Sequence, residues 1–269
     1  MALTKPESRP RMAVHKFASC DGCQLTFLNL GETLLLLNDM VDIVHFPEAG
    51  PVAPEAEVDI AFIEGSITTA HDLERIKQIR SHSRFMVAFG ACATAGGIQA
   101  LRNFSDAGEW LSAVYAKPEY IDSLASSTPM SDHVKVDLEI WGCPPNSHQV
   151  LGAIRAFLYG TVPQQSRDKV CLECKRQQVV CVLVARGLPC MGPVTRTGCG
   201  ALCPSFGRDC YTCYGPAEAL NTASLAGWFE GLGLLPEEIT RRFRHMSNSA
   251  PEFRDAARKI IATDANHGH

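Results

Sequence analysis

Twelve cysteines carry the chemistry of this chain. Cys20, Cys23, Cys92 and Cys143 are spread over its first half, whereas Cys171, Cys174, Cys181, Cys190, Cys199, Cys203, Cys210 and Cys213 crowd into the stretch from 171 to 213. Twelve thiols make three sets of four, and four thiolates are what one [4Fe–4S] cluster takes. The competing use is a disulfide framework, but such frameworks belong to short secreted chains. The opening residues MALTKPESRPRMAVHKF hold neither an apolar signal segment nor paired arginines. They read as a short disordered lead into a strand. The expected location is the cytoplasm, where disulfides are rare and grouped cysteines bind metal.

Cys20-Asp-Gly-Cys23 is a C-x-x-C pair, which taken alone suits a thioredoxin-like site, half of a zinc site or half of a cluster site. Cys92 and Cys143 taken singly are ordinary buried thiols. What joins the four is their place in the fold. Apolar runs at Met12–Phe17, Val41–Phe46, Val58–Ile63, Phe85–Phe89 and Val134–Trp141 read as strands. Leu25–Leu37, Thr69–Ser81 and His148–Tyr159 read as helices, the first buried on most faces and the second opened by a Thr69/Asp72 capping box. Alternating strands and helices imply a doubly wound parallel sheet over residues 1–160. Cys20, Cys92 and Cys143 each follow a strand, so three turns deliver thiols to one sheet edge, where ligands of such folds sit. Cys23 adds the fourth. Gly90, Gly96, Gly97 and Gly142 let backbone N–H groups approach a ligand there. Glu64, at the end of its strand, serves either as a proton relay beside this set or as a structural hydrogen-bond acceptor.

Residues 103–133 hold a helix and a loop, and 160–169 a linker. Residues 161–215 form a small irregular domain with little periodicity and few large apolar side chains, so metal has to replace the missing core. Its pattern, Cys171-x2-Cys174-x6-Cys181-x8-Cys190-x8-Cys199-x3-Cys203-x6-Cys210-x2-Cys213, is nearly mirror-symmetric and suits two neighbouring sites of similar build. Zinc uses C-x-x-C pairs equally well. Arg167, Lys169, Lys175, Arg176, Arg186, Arg196 and Arg208 outnumber Asp168, Glu173 and Asp209, which suits an anionic cluster and equally a solvated basic surface. Residues 216–269 turn helical over Leu225–Leu232, Pro236–Met246 and Pro251–Ile261, with Arg241, Arg242, Arg244, Arg254, Arg258 and Lys259 mostly on a solvated face. The nine histidines show no ligand spacing.

Composition excludes other classes. The chain has 269 residues, 46% hydrophobic and 20% charged, with net charge −4. That is ordinary for a globular protein and gives no sign of nucleic-acid binding. No apolar run is long enough to span a bilayer, and no phosphate-binding glycine motif is present.

The motifs Ala18-Ser-Cys-Asp-Gly-Cys23, Glu64-Gly65-Ser66, Gly90-Ala-Cys-Ala-Thr-Ala-Gly-Gly97, Gly142-Cys-Pro-Pro145 and Pro189-Cys-Met-Gly-Pro193 with Cys210-x2-Cys213 resemble, in this order over residues 12–216, the small electron-transfer subunit of nickel–iron hydrogenases. The resemblance implies a flavodoxin-like first domain and three [4Fe–4S] clusters. Cys20, Cys23, Cys92 and Cys143 would hold the proximal cluster. Cys171, Cys174, Cys181 and Cys190 would hold the distal one, and Cys199, Cys203, Cys210 and Cys213 the medial one. It implies no catalytic residue in this chain, because the nickel–iron centre lies in a separate large subunit. Electrons would pass to a flavin/iron–sulfur, diaphorase-type partner that reduces NADP. Periplasmic and membrane-bound members carry a twin-arginine signal, typically a histidine where Cys171 stands and often a proline where Cys203 stands. The all-cysteine set looks like the cytoplasmic branch, nearest to the NADP-coupled sulfhydrogenase delta subunit. Alternatives are a coenzyme F420- or heterodisulfide-reductase-linked hydrogenase and the quinone-reducing complex's small subunit, which has adjacent cysteines at the first motif. A zinc-stabilised structural or interaction protein is the alternative from another class.

Overall fold

The apolar runs of the first half become five strands in the computed structural model, which describes residues 9–267. Residues 1–8 of the expected N-terminal lead lie outside the described residues. The strands are β1 (Arg11–Lys16), β2 (Asp42–His45), β3 (Val58–Glu64), β4 (Ser83–Phe89) and β5 (Leu138–Ile140). All pair in parallel, in the order β2-β1-β3-β4-β5. This is the flavodoxin-like, doubly wound order, with its switch point between β1 and β3.

Two cores explain why the strands are apolar on both faces. Met12, Val14, Ile60, Phe62, Val87, Phe89 and Ile140 bury into one. Their sequence neighbours Ala13, Ala61, Ile63, Met86 and Ala88 bury into the other, as the two-residue period of a strand requires. The first core is covered by α1 (Gly22–Leu28), α2 (Glu32–Met40) and, beyond β5, Ser147–Leu158. Phe27 of α1 meets Phe46, Phe62 and Phe89 edge-on at ring distances of 5.8, 5.2 and 5.6 Å. The second core is covered by α3 (Ala70–Ser81) and α4 (Ala91–Ala95). The capping box is formed: Asp72 N–H donates to Thr69 Oγ1 at 3.1 Å and Thr69 N–H to Asp72 Oδ2 at 3.0 Å. A surface helix α5 (Ala107–Val114) precedes β5, and Ser147–Leu158 is α6, capped by Asn146.

Two expectations need correction. The single buried helix over Leu25–Leu37 is two helices, broken at Gly31, whose φ of 58° glycine adopts at little cost. Leu35 and Leu36 consequently face outward and are exposed. The fifth strand is shorter than Val134–Trp141 because Asp137 Oδ2 takes the Met86 N–H at 2.8 Å, a donor that backbone pairing would otherwise use. Two histidines, in addition, are neither at the surface nor fully satisfied. His15 and His45 lie side by side on β1 and β2, 2% and 3% exposed, with ring centroids 4.6 Å apart. His45 Nδ1 accepts from Ala53 N–H at 3.2 Å, while His15 Nδ1 and His45 Nε2 find no partner among the described residues.

This pair makes the first unit acid-sensitive. Burial, then the neighbouring charges of His45 and Arg75, pushes His15 down to about 3. Between its ordinary value of 6.5 and that value the unfolded chain binds a proton that the folded chain does not. Stability is therefore full above pH 6.5 and falls as the pH drops toward 3, by at most on the order of 4 kcal/mol. His15→Leu is expected to flatten this limb in urea midpoints taken from pH 7 to pH 4; an unchanged slope would show that the ring titrates freely.

The chain divides into Met1–Gln165 and Ser166–His269. The second unit begins with three short helices, α7 (Val170–Arg176), α8 (Val182–Arg186) and α9 (Leu202–Ser205). It ends with α10 (Thr222–Gly231), α11 (Pro236–Phe243) and α12 (Pro251–His267). Phe229, Ile239, Phe243 and Phe253 of these last helices are fully buried. Among the described residues no helix is long and apolar enough to cross a membrane.

Candidate metal centres

The carboxyl edge of the sheet gathers the first four cysteines. Cys20 follows β1, Cys23 is the second residue of α1, Cys92 lies in α4 after β4, and Cys143 follows β5. Their turns are laced together. Gly90 N–H donates to Ile140 O at 2.8 Å and Ala91 N–H to Gly142 O at 2.7 Å, joining the β4 and β5 turns. Ala18 and Ser66 exchange backbone bonds of 3.3 and 3.0 Å, joining the β1 and β3 turns. Thr26 Oγ1 reaches Pro145 O at 3.3 Å, tying α1 to the β5 turn. Cys20 and Cys143 are exposed, Cys92 is half-buried and Cys23 is buried.

Glycines stand where any side chain would strike a thiol. A Cβ on Gly90 would collide with Cys23 Sγ, and one on Gly97 would come within 2.5 Å of Cys92 Sγ. Electrostatics tells the same story. Burial pushes the Cys23 thiol well above its ordinary range, and Glu64, Cys92, Cys143 and Cys20 push it further. Burial likewise pushes Cys92 up to about 12, and Gln99 Oε1 accepts from its thiol at 3.3 Å. Thiols so placed ionise together only around a strong positive charge, and metal binding then releases their protons.

Glu64 makes the structural bond. It is 1% exposed, its Oε1 accepting from Cys23 N–H at 3.1 Å and its Oε2 from Gln24 N–H at 3.2 Å. The carboxylate fixes the first turn of α1 and so the Cys23 thiol.

In the second unit, Cys171, Cys174, Cys181 and Cys190 line one cavity of about 280 Å³ with Lys175, Val182 and Pro204. Their thiols couple: burial raises Cys174 to about 11, with Cys171, Cys190 and Cys181 adding to it. Of the last four, Cys210 is buried and couples to both Cys190 and Cys213, and its N–H donates to Cys190 Sγ at 3.3 Å. Cys199 couples to Cys174 and faces Glu173, while Cys203 sits on α9.

Three features are invisible in the sequence. Gln99 ties Cys92 to Ala18 O, donating at 2.7 Å. Glu173, between Cys171 and Cys174, reaches across to the Cys199 loop, where its Oε1 accepts from Gly198 N–H at 2.8 Å and its Oε2 from Ala201 N–H at 3.1 Å. Arg242, expected on a solvated face, instead pairs with Asp209 beside Cys210. Residue type alone carries no signal for any of them.

The donor set bears on the kind of metal. Four thiols from three strand ends, with Gly90 and Gly97 leaving room against Cys23 Sγ and Cys92 Sγ, fit a cluster of four irons, which takes four thiolates.

Known proteins share these features. A family model described as NADH ubiquinone oxidoreductase, 20 Kd subunit, matches residues 20–157. The sulfhydrogenase 2 subunit delta of Pyrococcus furiosus is 35% identical over 236 residues, 87% of this chain and 98% of that protein. The vhu G subunit of the F420-non-reducing hydrogenase of Methanococcus voltae is 32% identical over 254 residues, 83% of this chain and 88% of its own length. A solved NAD+-reducing [NiFe]-hydrogenase in the H2-reduced state superposes with a TM-score of 0.54 at 28% identity, over 58% of this chain and 95% of the other. The chain belongs to the family that the 20 Kd subunit model describes and, within it, to the small subunits of nickel–iron hydrogenases, as one oxidoreductase subunit of an enzyme complex.

Proposed function

We propose that this chain conducts electrons within a cytoplasmic nickel–iron hydrogenase through three [4Fe–4S] clusters. The observation that carries the reading is the convergence of Cys20, Cys23, Cys92 and Cys143 from three strand ends onto one glycine-cradled edge. These four hold the proximal cluster, Cys171, Cys174, Cys181 and Cys190 the distal one, and Cys199, Cys203, Cys210 and Cys213 the medial one. Bound clusters supply one-electron transfer. The chain's own residues fix their positions, exclude water and aim N–H groups at sulfur, as Cys210 N–H does at Cys190. The partners are a large subunit holding nickel and iron, and a flavin/iron–sulfur subunit that reduces NADP. Similarity to a subunit of an NAD+-reducing [NiFe]-hydrogenase supports a nicotinamide acceptor. A second reading keeps the relay and sends its electrons to a heterodisulfide reductase; a subunit of an F420-non-reducing hydrogenase, whose name sets coenzyme F420 aside as acceptor, is similar to this chain.

Anaerobic iron and acid-labile sulfide counting on the purified complex tests the relay. About twelve irons beyond those of the other subunits are expected, four for each cluster. Cys92→Ser should lower hydrogen-dependent dye reduction while leaving nickel in place. A zinc-loaded, iron-free chain overturns the reading, and NADPH formation under hydrogen separates the two acceptors.

A further inference from the structure

One residue of the second unit combines two unfavourable features. Among the described residues other than glycine, five have left-handed φ, and Thr212, at 62°, is the one β-branched side chain of the five. A branched Cβ crowds the backbone there more than an unbranched one does. Thr212 is also fully buried, and its hydroxyl has no hydrogen-bond partner among the described residues. A buried hydroxyl left without a partner is costly in its own right. Both features fall inside the Cys210-x2-Cys213 turn.

The surroundings hold this residue in place. Its carbonyl accepts from Gly215 N–H at 2.9 Å and from Ser247 Oγ at 2.7 Å. Ser247 is fully buried and lies between α11 and α12. Nearby along the same stretch, Arg242 pairs with Asp209, and the His245 ring lies 5.7 Å from that of Tyr211. The C-terminal segment therefore grips residues 209, 211 and 212 together. In this conformation the Thr212 N–H meets the Cys210 sulfur. Burial pushes that thiol well above its ordinary range, and the Thr212 N–H is among the groups that draw it back.

Strain that several contacts maintain points to a function. A glycine at 212 would keep the turn and its N–H without strain. What threonine adds is the hydroxyl, and a cluster bound by the flanking cysteines brings sulfur acceptors to it. We infer that Thr212 donates a hydrogen bond to the cluster that Cys210 and Cys213 help to hold, and that Ser247 is the positioning residue for this donor. The inference rests on the proposed relay and names two residues that tune its medial centre. Donors to cluster sulfur favour the reduced, more negative state and so raise the potential.

The test is an EPR-monitored redox titration of the full chain loaded with iron and sulfide. Thr212→Val keeps the branched shape and lacks the hydroxyl. It should keep its iron, while at the wild-type midpoint the reduced-to-oxidised ratio of the medial cluster falls roughly three- to ten-fold, ~30–60 mV for one electron. Thr212→Ser keeps the hydroxyl and should hold the wild-type midpoint. Ser247→Ala should lower the medial midpoint by itself and add little to Thr212→Val, because both act through one hydroxyl. The proximal midpoint should stay in place throughout. If Thr212→Val loses iron, Thr212→Ser and Thr212→Ala carry the same comparison, since they differ by the hydroxyl alone. A medial midpoint that ignores loss of the hydroxyl overturns the inference while leaving the relay intact, and so does a Ser247→Ala shift that is undiminished in Thr212→Val. A wild-type chain that takes up no iron removes the relay and the inference together.

Discussion

Gly90→Ala is expected to empty the proximal site. Gly90 has φ 94° and ψ 155°, a region that only glycine occupies without strain of order 1–3 kcal/mol. Its backbone is not free to relax, because its N–H is committed to Ile140 O at 2.8 Å and its carbonyl to Thr94 N–H at 3.1 Å. The new methyl would stand on Cys23 Sγ. That thiol cannot retreat: it is buried, and its own N–H is held by Glu64. Strain at position 90 and displacement of the Cys23 thiol thus act on the same site, and roughly four irons should be missing from the purified chain. Gly152→Ala is the matched control. A Cβ there meets nothing within 4 Å inside α6, so the change should stabilise the chain by about 0.5–1 kcal/mol and leave iron complete. Complete iron in Gly90→Ala would show that the cradle is incidental.

How far the sequence discloses this site depends on the kind of signal each part sends. The strands are legible because both faces are buried, which writes continuous apolar runs such as Val58–Ile63 into the chain. Thr69 and Asp72 announce α3 by a local bond that spacing alone predicts. Cys20, Cys92 and Cys143 are gathered by the strand pattern alone, since parallel strands put their following turns on one edge. The break at Gly31 is also written, in Asn29-Leu30-Gly31, but the apolar periodicity on either side masks it. Other features have no local trace. His15 and His45 meet only because β1 and β2 pair in a register that sets Ala13 against His45. Arg242 looks like one more cation of a basic helix until Asp209 is placed beside it. Long-range polar pairing is set by tertiary structure, and no periodicity encodes it.

Glu173→Ala should produce the largest loss in the second unit, because one carboxylate there serves two cysteine sets. It stands in α7 between Cys171 and Cys174, yet its two oxygens hold Gly198 and Ala201 N–H on either side of Cys199. Hydrogen bonds to a charged group contribute about 1.5–3 kcal/mol each, and removing the acceptor leaves the half-buried Gly198 and the buried Ala201 without their acceptor. The Cys199 loop then loses its anchor, and the iron count should fall by roughly four, with the medial signal disappearing first. Glu173→Gln separates anchoring from charge. It keeps one acceptor oxygen and turns an amide N–H₂ toward the other donor, so part of the medial cluster should survive. In that fraction a negative charge 3.7 Å from Cys199 Sγ is gone. Reduction adds negative charge to the cluster, so its midpoint should move to more positive potential in an EPR-monitored titration, while the proximal midpoint stays in place. An unmoved medial midpoint in iron-complete Glu173→Gln would reduce the residue to a loop anchor. A shift confined to the medial cluster would make Glu173 the group through which the helix of one cysteine set adjusts the potential of the next.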